Sequence, residues 1–136
     1  MADLSITAAN VVAGSNARVV NGTAGATVTA GQVVYRDATT KKFGLADCDS
    51  ATAGVRVAFG IALNGASDGQ PLAVLTEGDI TIGATMTAGL AYYLSPTAGG
   101  IGVVGDLSTG DYPTLIGIAK STSVLAVEIN ASGVAL

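Results

Sequence analysis

The chain has 136 residues, a net charge of −4, one cysteine and no histidine. Of its six basic residues only Lys41 and Lys42 are adjacent, so no basic stripe exists for a nucleic-acid backbone. One cysteine rules out an internal disulfide, and no apolar run reaches the roughly 18 residues of a membrane helix.

The predicted elements are short and β-rich. Val, Ile, Thr and Tyr cluster in runs that Gly, Asn, Asp and Ser interrupt. In chain order the expected strands cover residues 4–7, 17–20, 32–37, 42–46, 55–63, 70–75, 78–82, 90–95, 100–104, 114–119 and 124–130. Residues 51–58 are compatible with one helical turn, but Gly54 and the β-branched residues oppose more. The fold class is therefore all-β.

A phrase recurs along this order. Gly25–Asp37 reads GATVTAGQVVYRD and Gly83–Ser95 reads GATMTAGLAYYLS, with seven of thirteen positions identical at an offset of 58. The echo continues. Phe43-Gly44-Leu45 matches Ile101-Gly102-Val103 at 58, Phe59-Gly60-Ile61-Ala62 matches Ile116-Gly117-Ile118-Ala119 at 57, and Leu72-Ala73-Val74 matches Leu125-Ala126-Val127 at 53. Length differences fall in loops, where insertions cost least. The expectation is a tandem duplication of residues 25–79 and 83–133 behind an N-terminal arm or first strand of residues 1–24. Two copies are too few for a solenoid. They fit a compact barrel or sandwich with pseudo-two-fold character, the two half-repeats together forming a single β domain of residues 25–136. Within the phrase, Tyr35 and Tyr93 match, so they are expected in the core. Strand alternation then turns Tyr92 outward, with Val34 as its counterpart.

The chemistry-bearing residues are few. Without His the commonest general base and metal ligand are missing. Cys48 lies between Asp47 and Asp49, whose charges disfavour a thiolate. Gly100–Gly105 matches GxGxxG, but Gly110 and Pro113 follow where a phosphate-binding helix would have to run. Asp47 and Asp49 lack the further ligands of a calcium loop. Neither a cofactor nor a bound metal is expected, and a non-enzymatic role is the better reading. The N-terminus lacks the basic and apolar regions of a secretory signal, so synthesis in a cytoplasm is expected.

Residues 31–47 (GQVVYRD…FGLAD), 59–74 (FGIAL…DGQPLAV) and 115–130 (LIGIA…VLAVEIN) resemble the small capsid decoration proteins of tailed bacteriophages, also called cement or head-stabilisation proteins. The resemblance implies a β-rich protein on the outside of a virion capsid. It would partner the major capsid protein, often as a homotrimer, and be made in the host cytoplasm. Another virion part, such as a tail-tube, fibre or spike module, and a carbohydrate-binding adhesin module are the alternatives. A chain poor in charge suits lateral packing, and several weak contacts on one particle add up through effective concentration. The candidate capsid or subunit contacts are Leu4, Ile6, Val11, Val12, Tyr92 and Arg36. The arm, residues 2–17, either adds a strand to a neighbour's sheet edge or serves as the domain's own first strand.

Overall fold

The computed structural model describes residues 3–136; the first two residues of the expected arm lie outside the described residues. Ten antiparallel strands form one curled sheet, a half-barrel. The strands are β1 (Val12–Ala13), β2 (Arg18–Thr23), β3 (Val33–Arg36), β4 (Phe43–Leu45), β5 (Gly60–Ala62), β6 (Pro71–Thr81), β7 (Ala91–Leu94), β8 (Ile101–Gly102), β9 (Thr114–Ala119) and β10 (Val124–Ala131). Three short 3-10 turns interrupt them, one of them at Ala53–Arg56 inside the stretch compatible with a helical turn. The sequence-expected strand at residues 4–7 is instead an extended segment outside the sheet, and the two expected at 70–75 and 78–82 are the single strand β6.

The duplication is written into the pairing. Tyr35 faces Gly44 across β3 and β4, as Tyr93 faces Gly102 across β7 and β8. Val34 faces Gly60, as Tyr92 faces Gly117. Turn bonds repeat as well: Gly31 N–H donates to Ala62 O at 2.8 Å, and Gly89 N–H to Ala119 O at 2.7 Å. Both glycines sit at positive φ, +94° and +84°. A side chain is strained in that conformation, so the phrase keeps its second glycine in both copies.

The structural repeat starts earlier than the sequence echo. Gly22 pairs with Leu72 and Thr23 with Pro71, as Ile80 pairs with Leu125 and Thr81 with Val124. Thus β2 is the counterpart of the end of β6, and the start of β6 is the counterpart of β10. Each copy has the strand order β4-β3-β5-β6-β2 or β8-β7-β9-β10-β6, and β6 is the last strand of the first copy and the first strand of the second. Residues 18–24 therefore belong to the first copy rather than to an arm. The sequence offset of 53 holds for this ladder, whereas the β5–β6 and β9–β10 ladders differ by two residues from it. An even slip keeps every side chain on its face.

A bulge in β6 decides where the core lies. Val19 faces Leu75 and Arg18 faces Glu77, which leaves Thr76 extra. The extra residue reverses which way successive side chains point. Before it, Leu72 and Val74 enter a small cluster with Val28, Val34, Phe43 and Ala62, the inner side of the first copy. After it, Ile80 and Ile82 join Met86, Tyr92, Ile101 and Leu125, the inner side of the second copy. The outer side of the first copy, Val33, Ile61 and Leu75, packs into that second cluster. The copies are stacked outer face to inner face.

One close approach explains a repeated motif. A Cβ built on Gly60 would run into the Leu75 carbonyl, and one on Gly117 into the Ala126 carbonyl. The Gly-Ile-Ala triplets thus keep their glycine because the neighbouring strand leaves no room.

Candidate attachment surface

Four of the six sequence-expected contact residues are occupied within the protein's own fold. Leu4 is half-buried and its N–H donates to Ile101 O at 2.8 Å. Ile6 is half-buried, with a methyl group against Gly31. Val11 is in the core. Tyr92 is 4% exposed, which overturns its expected outward position. Val12 and Arg36 are exposed; the Arg36 guanidinium stands 5.8 Å from the Phe59 ring centroid. The arm segment Asp3–Thr7 lies along the second copy, and β1 pairs with β6, so the first-strand reading describes residues 12–13.

The error over Tyr92 has a physical cause. Val34, its counterpart, is also fully buried, because both faces of β3 are covered. Tyr35 and Tyr93 are the half-exposed pair, on the other face. Tyr92 keeps its hydroxyl satisfied in the core by accepting the Thr87 N–H at 2.9 Å. The matching N–H in the first copy, on Thr29, is taken by the Gln32 side chain at 2.9 Å. Leu90 replaces Gln32 in the second copy, so a tyrosine reaching from the inside supplies the missing acceptor.

Stacking leaves one outer face uncovered, that of the second copy. Ala91, Ile118, Ala126 and Asp79 stand side by side across β7, β9, β10 and β6, and Val124, Thr81 and Val12 form the adjacent row. Ile118 is 50% exposed, whereas its counterpart Ile61 is fully buried. Lys120 Nζ bonds Asp79 Oδ2 at 2.7 Å at the side of this face, and Arg18 pairs with Glu77 at 3.1 Å beyond it. Such exposed pairs contribute little to stability. They place compensated charge around small apolar side chains. Sequence reasoning missed Ile118; the signal was the alternation in LIGIA, which turns Ile118 opposite to Gly117 and Ala119.

The single cysteine is buried beside acids. Tyr112 N–H donates to Cys48 O at 2.9 Å. Burial, then the charges of Asp111, Asp49 and Asp47, push the thiol up to about 12, so it stays protonated and unreactive. Asp47 is pushed up to about 6, chiefly by burial and also by Asp49 and Asp111. Next to this cluster the Arg56 guanidinium lies 3.6 Å from the Tyr112 ring centroid, a stacked cation–π contact. Among the described residues, no three His, Cys, Asp or Glu side chains gather in a metal-binding group, and no helix is long and apolar enough to cross a membrane.

Comparison of the chain with family models, with curated proteins and with solved structures finds no match.

Proposed function

We propose that this protein is a structural component of a virion, a decoration protein that binds the outer surface of a tailed-phage capsid as a homotrimer and stabilises the shell. The carrying observation is the uncovered outer face of the second copy. It is a broad sheet surface of Ala, Val, Ile and Thr, and the first-copy counterparts of its central residues, Val33, Ile61 and Leu75, are fully buried. Exposed apolar surface of this kind marks an interaction site. A protein that must cover many equivalent points needs modest contacts repeated many times rather than one deep pocket. The sequence resemblance points the same way.

The test is attachment. Purified protein is mixed with undecorated capsids, and co-sedimentation and heat resistance of the particles are measured. Ile118→Asp should abolish attachment while leaving the fold intact, because Ile118 is half exposed. Binding should weaken only mildly between low and moderate salt, since the face is nearly uncharged. Attachment of Ile118→Asp at wild-type level, or protein located on tails rather than heads by negative-stain microscopy, overturns the reading.

A further inference from the structure

The two copies hold unequal slots at the same place. In the second copy the arm fills it. Leu4 N–H donates to Ile101 O and Thr7 N–H to Gly83 O, both at 2.8 Å. The Asp3 carboxylate accepts the Ser95 hydroxyl at 2.6 Å, occupies the space where a side chain on Gly100 would stand, and borders Gly102, where Asp106 comes closer still. Every one of these partners has a counterpart 58 residues earlier: Phe43, Gly25, Asp37, Lys42 and Gly44. In the first copy these five line an open groove of about 430 Å³, a volume in the range of ligand clefts. The chain has one arm and two such places.

The groove has the features of a strand acceptor. Asp37 N–H donates to Lys42 O and Ala46 N–H to Val33 O, so the even-numbered residues of β4 bond β3. Alternation turns Phe43 and Leu45 to the opposite edge. Gly25 N–H takes Phe43 O at 2.7 Å and Ala24 bridges Phe43, so the counterpart of the Ile101 carbonyl that the arm bonds is already closed by the chain itself. The main-chain groups of Leu45, which lines the groove, remain for an incoming segment.

The wall chemistry is inverted between the copies. Where the second copy offers the Ser95 hydroxyl to an acid, the first offers the Asp37 carboxylate. That carboxylate is held below its ordinary value by the N–H groups of Thr40 and Thr39. Lys42 is paired with Asp68 at 3.4 Å. Two acids and one base line the groove, one negative charge in excess among the lining residues, with the Lys41 charge also acting on Asp37 from outside the lining.

We infer that the groove of the first copy binds an extended segment of another polypeptide, one that carries a Lys or Arg where Asp3 sits in the second copy. The arm of a sister chain fits less well, because it would set Asp3 against Asp37. This inference does not depend on the capsid reading.

The test uses the full-length protein and two labelled peptides: residues 2–9 of this chain, and the same peptide with Asp3→Lys. Fluorescence anisotropy gives the affinities, and amide NMR shifts give the site. The Asp3→Lys peptide should bind about fivefold more tightly and shift Gly25, Gly44 and Leu45. In Asp37→Asn and Asp68→Asn protein that preference should shrink. Equal affinity of the two peptides assigns the groove to a sister arm and overturns the inference. So do shifts at Gly83 and Gly102, which would mean displacement of the resident arm, and so does absence of binding at millimolar peptide.

Discussion

The first and second copies share a strand order and a turn chemistry, yet they solve burial differently. The first copy is covered on both faces of β3: Val34 faces its own small cluster and Val33 faces the second copy. The second copy is covered on one face only, and it needs the arm to complete that side. Its residues are larger on the inside, with Tyr92 and Met86 where the first copy has Val34 and Val28, and smaller on the outside, with Ala91 and Ala126 where the first copy has Val33 and Leu75. A duplicated unit thus acquires two roles without new elements. One copy becomes an interior layer and the other presents a surface. The stacking is outer face to inner face, so it is not reciprocal and always leaves one outer face over.

The largest test of this comparison is the tyrosine pair. Tyr92→Ala should cost about 4 kcal/mol, as for other large core side chains, and Tyr93→Ala about 1 kcal/mol. Urea unfolding with an unchanged m-value would measure both. Equal costs would mean that the two faces of β7 are equally buried.

Next comes the isoleucine pair. Ile61→Ala should cost about 3 kcal/mol and Ile118→Ala less than about 1 kcal/mol, because Ile61 is buried and Ile118 is half exposed. If the open face is the capsid contact proposed above, the Ile118 variant should lose attachment instead. The same unfolding measurement checks the first statement, and co-sedimentation the second.

The arm gives an intermediate effect. Deleting residues 2–10 removes two backbone bonds to the second copy, two within the arm's own turn, the Asp3–Ser95 bond and the half-buried Leu4 and Ile6, for a loss of about 2–3 kcal/mol. Hydrogen exchange should accelerate at the Ser95 amide, whose bond to Gly100 O lies beside the arm, and stay slow at the Gly25 amide, which keeps its bond to Phe43 O. Uniform acceleration through both copies would show that the arm supports the whole sheet equally.

The smallest effect is the pH response of Asp47. Its folded-state value lies above the ordinary 3.8, at about 6. The native fold therefore favours the protonated acid. That contribution is complete below about pH 4 and is lost as pH rises through about 6. Asp47→Asn should match the wild-type Tm near pH 4 and exceed it at pH 7. A Tm gap independent of pH would remove burial of Asp47 as its source. At the same offset of 58 the second copy has Gly105 in place of Asp47, with Asp106 beside it.

Much of the fold was legible in the sequence. Short runs of β-branched residues between glycines marked nearly every strand, and the repeated GAT-TAG phrase marked the turns because Gly31 and Gly89 both need positive φ. Repeats matched in order told where the copies lie, and Gly60 and Gly117 were visible as constants before the facing carbonyls explained them. The arrangement of the copies was not legible. Alternation states that neighbouring side chains point apart, but it does not say which side is inside, so Tyr92 was exchanged with Tyr93 and Val34 with Tyr35. The merging of two expected strands into β6 and the bulge at Thr76 depend on pairing with β2 and β10, partners some fifty residues away in either direction. The slot filled by Asp3–Thr7 likewise exists only once Ile101, Gly83 and Ser95 have been brought together. Local propensity and periodicity determined the elements. Which faces were buried, which was left open and which groove stayed unfilled was decided by long-range packing, because burial belongs to the assembled sheet and not to any single strand.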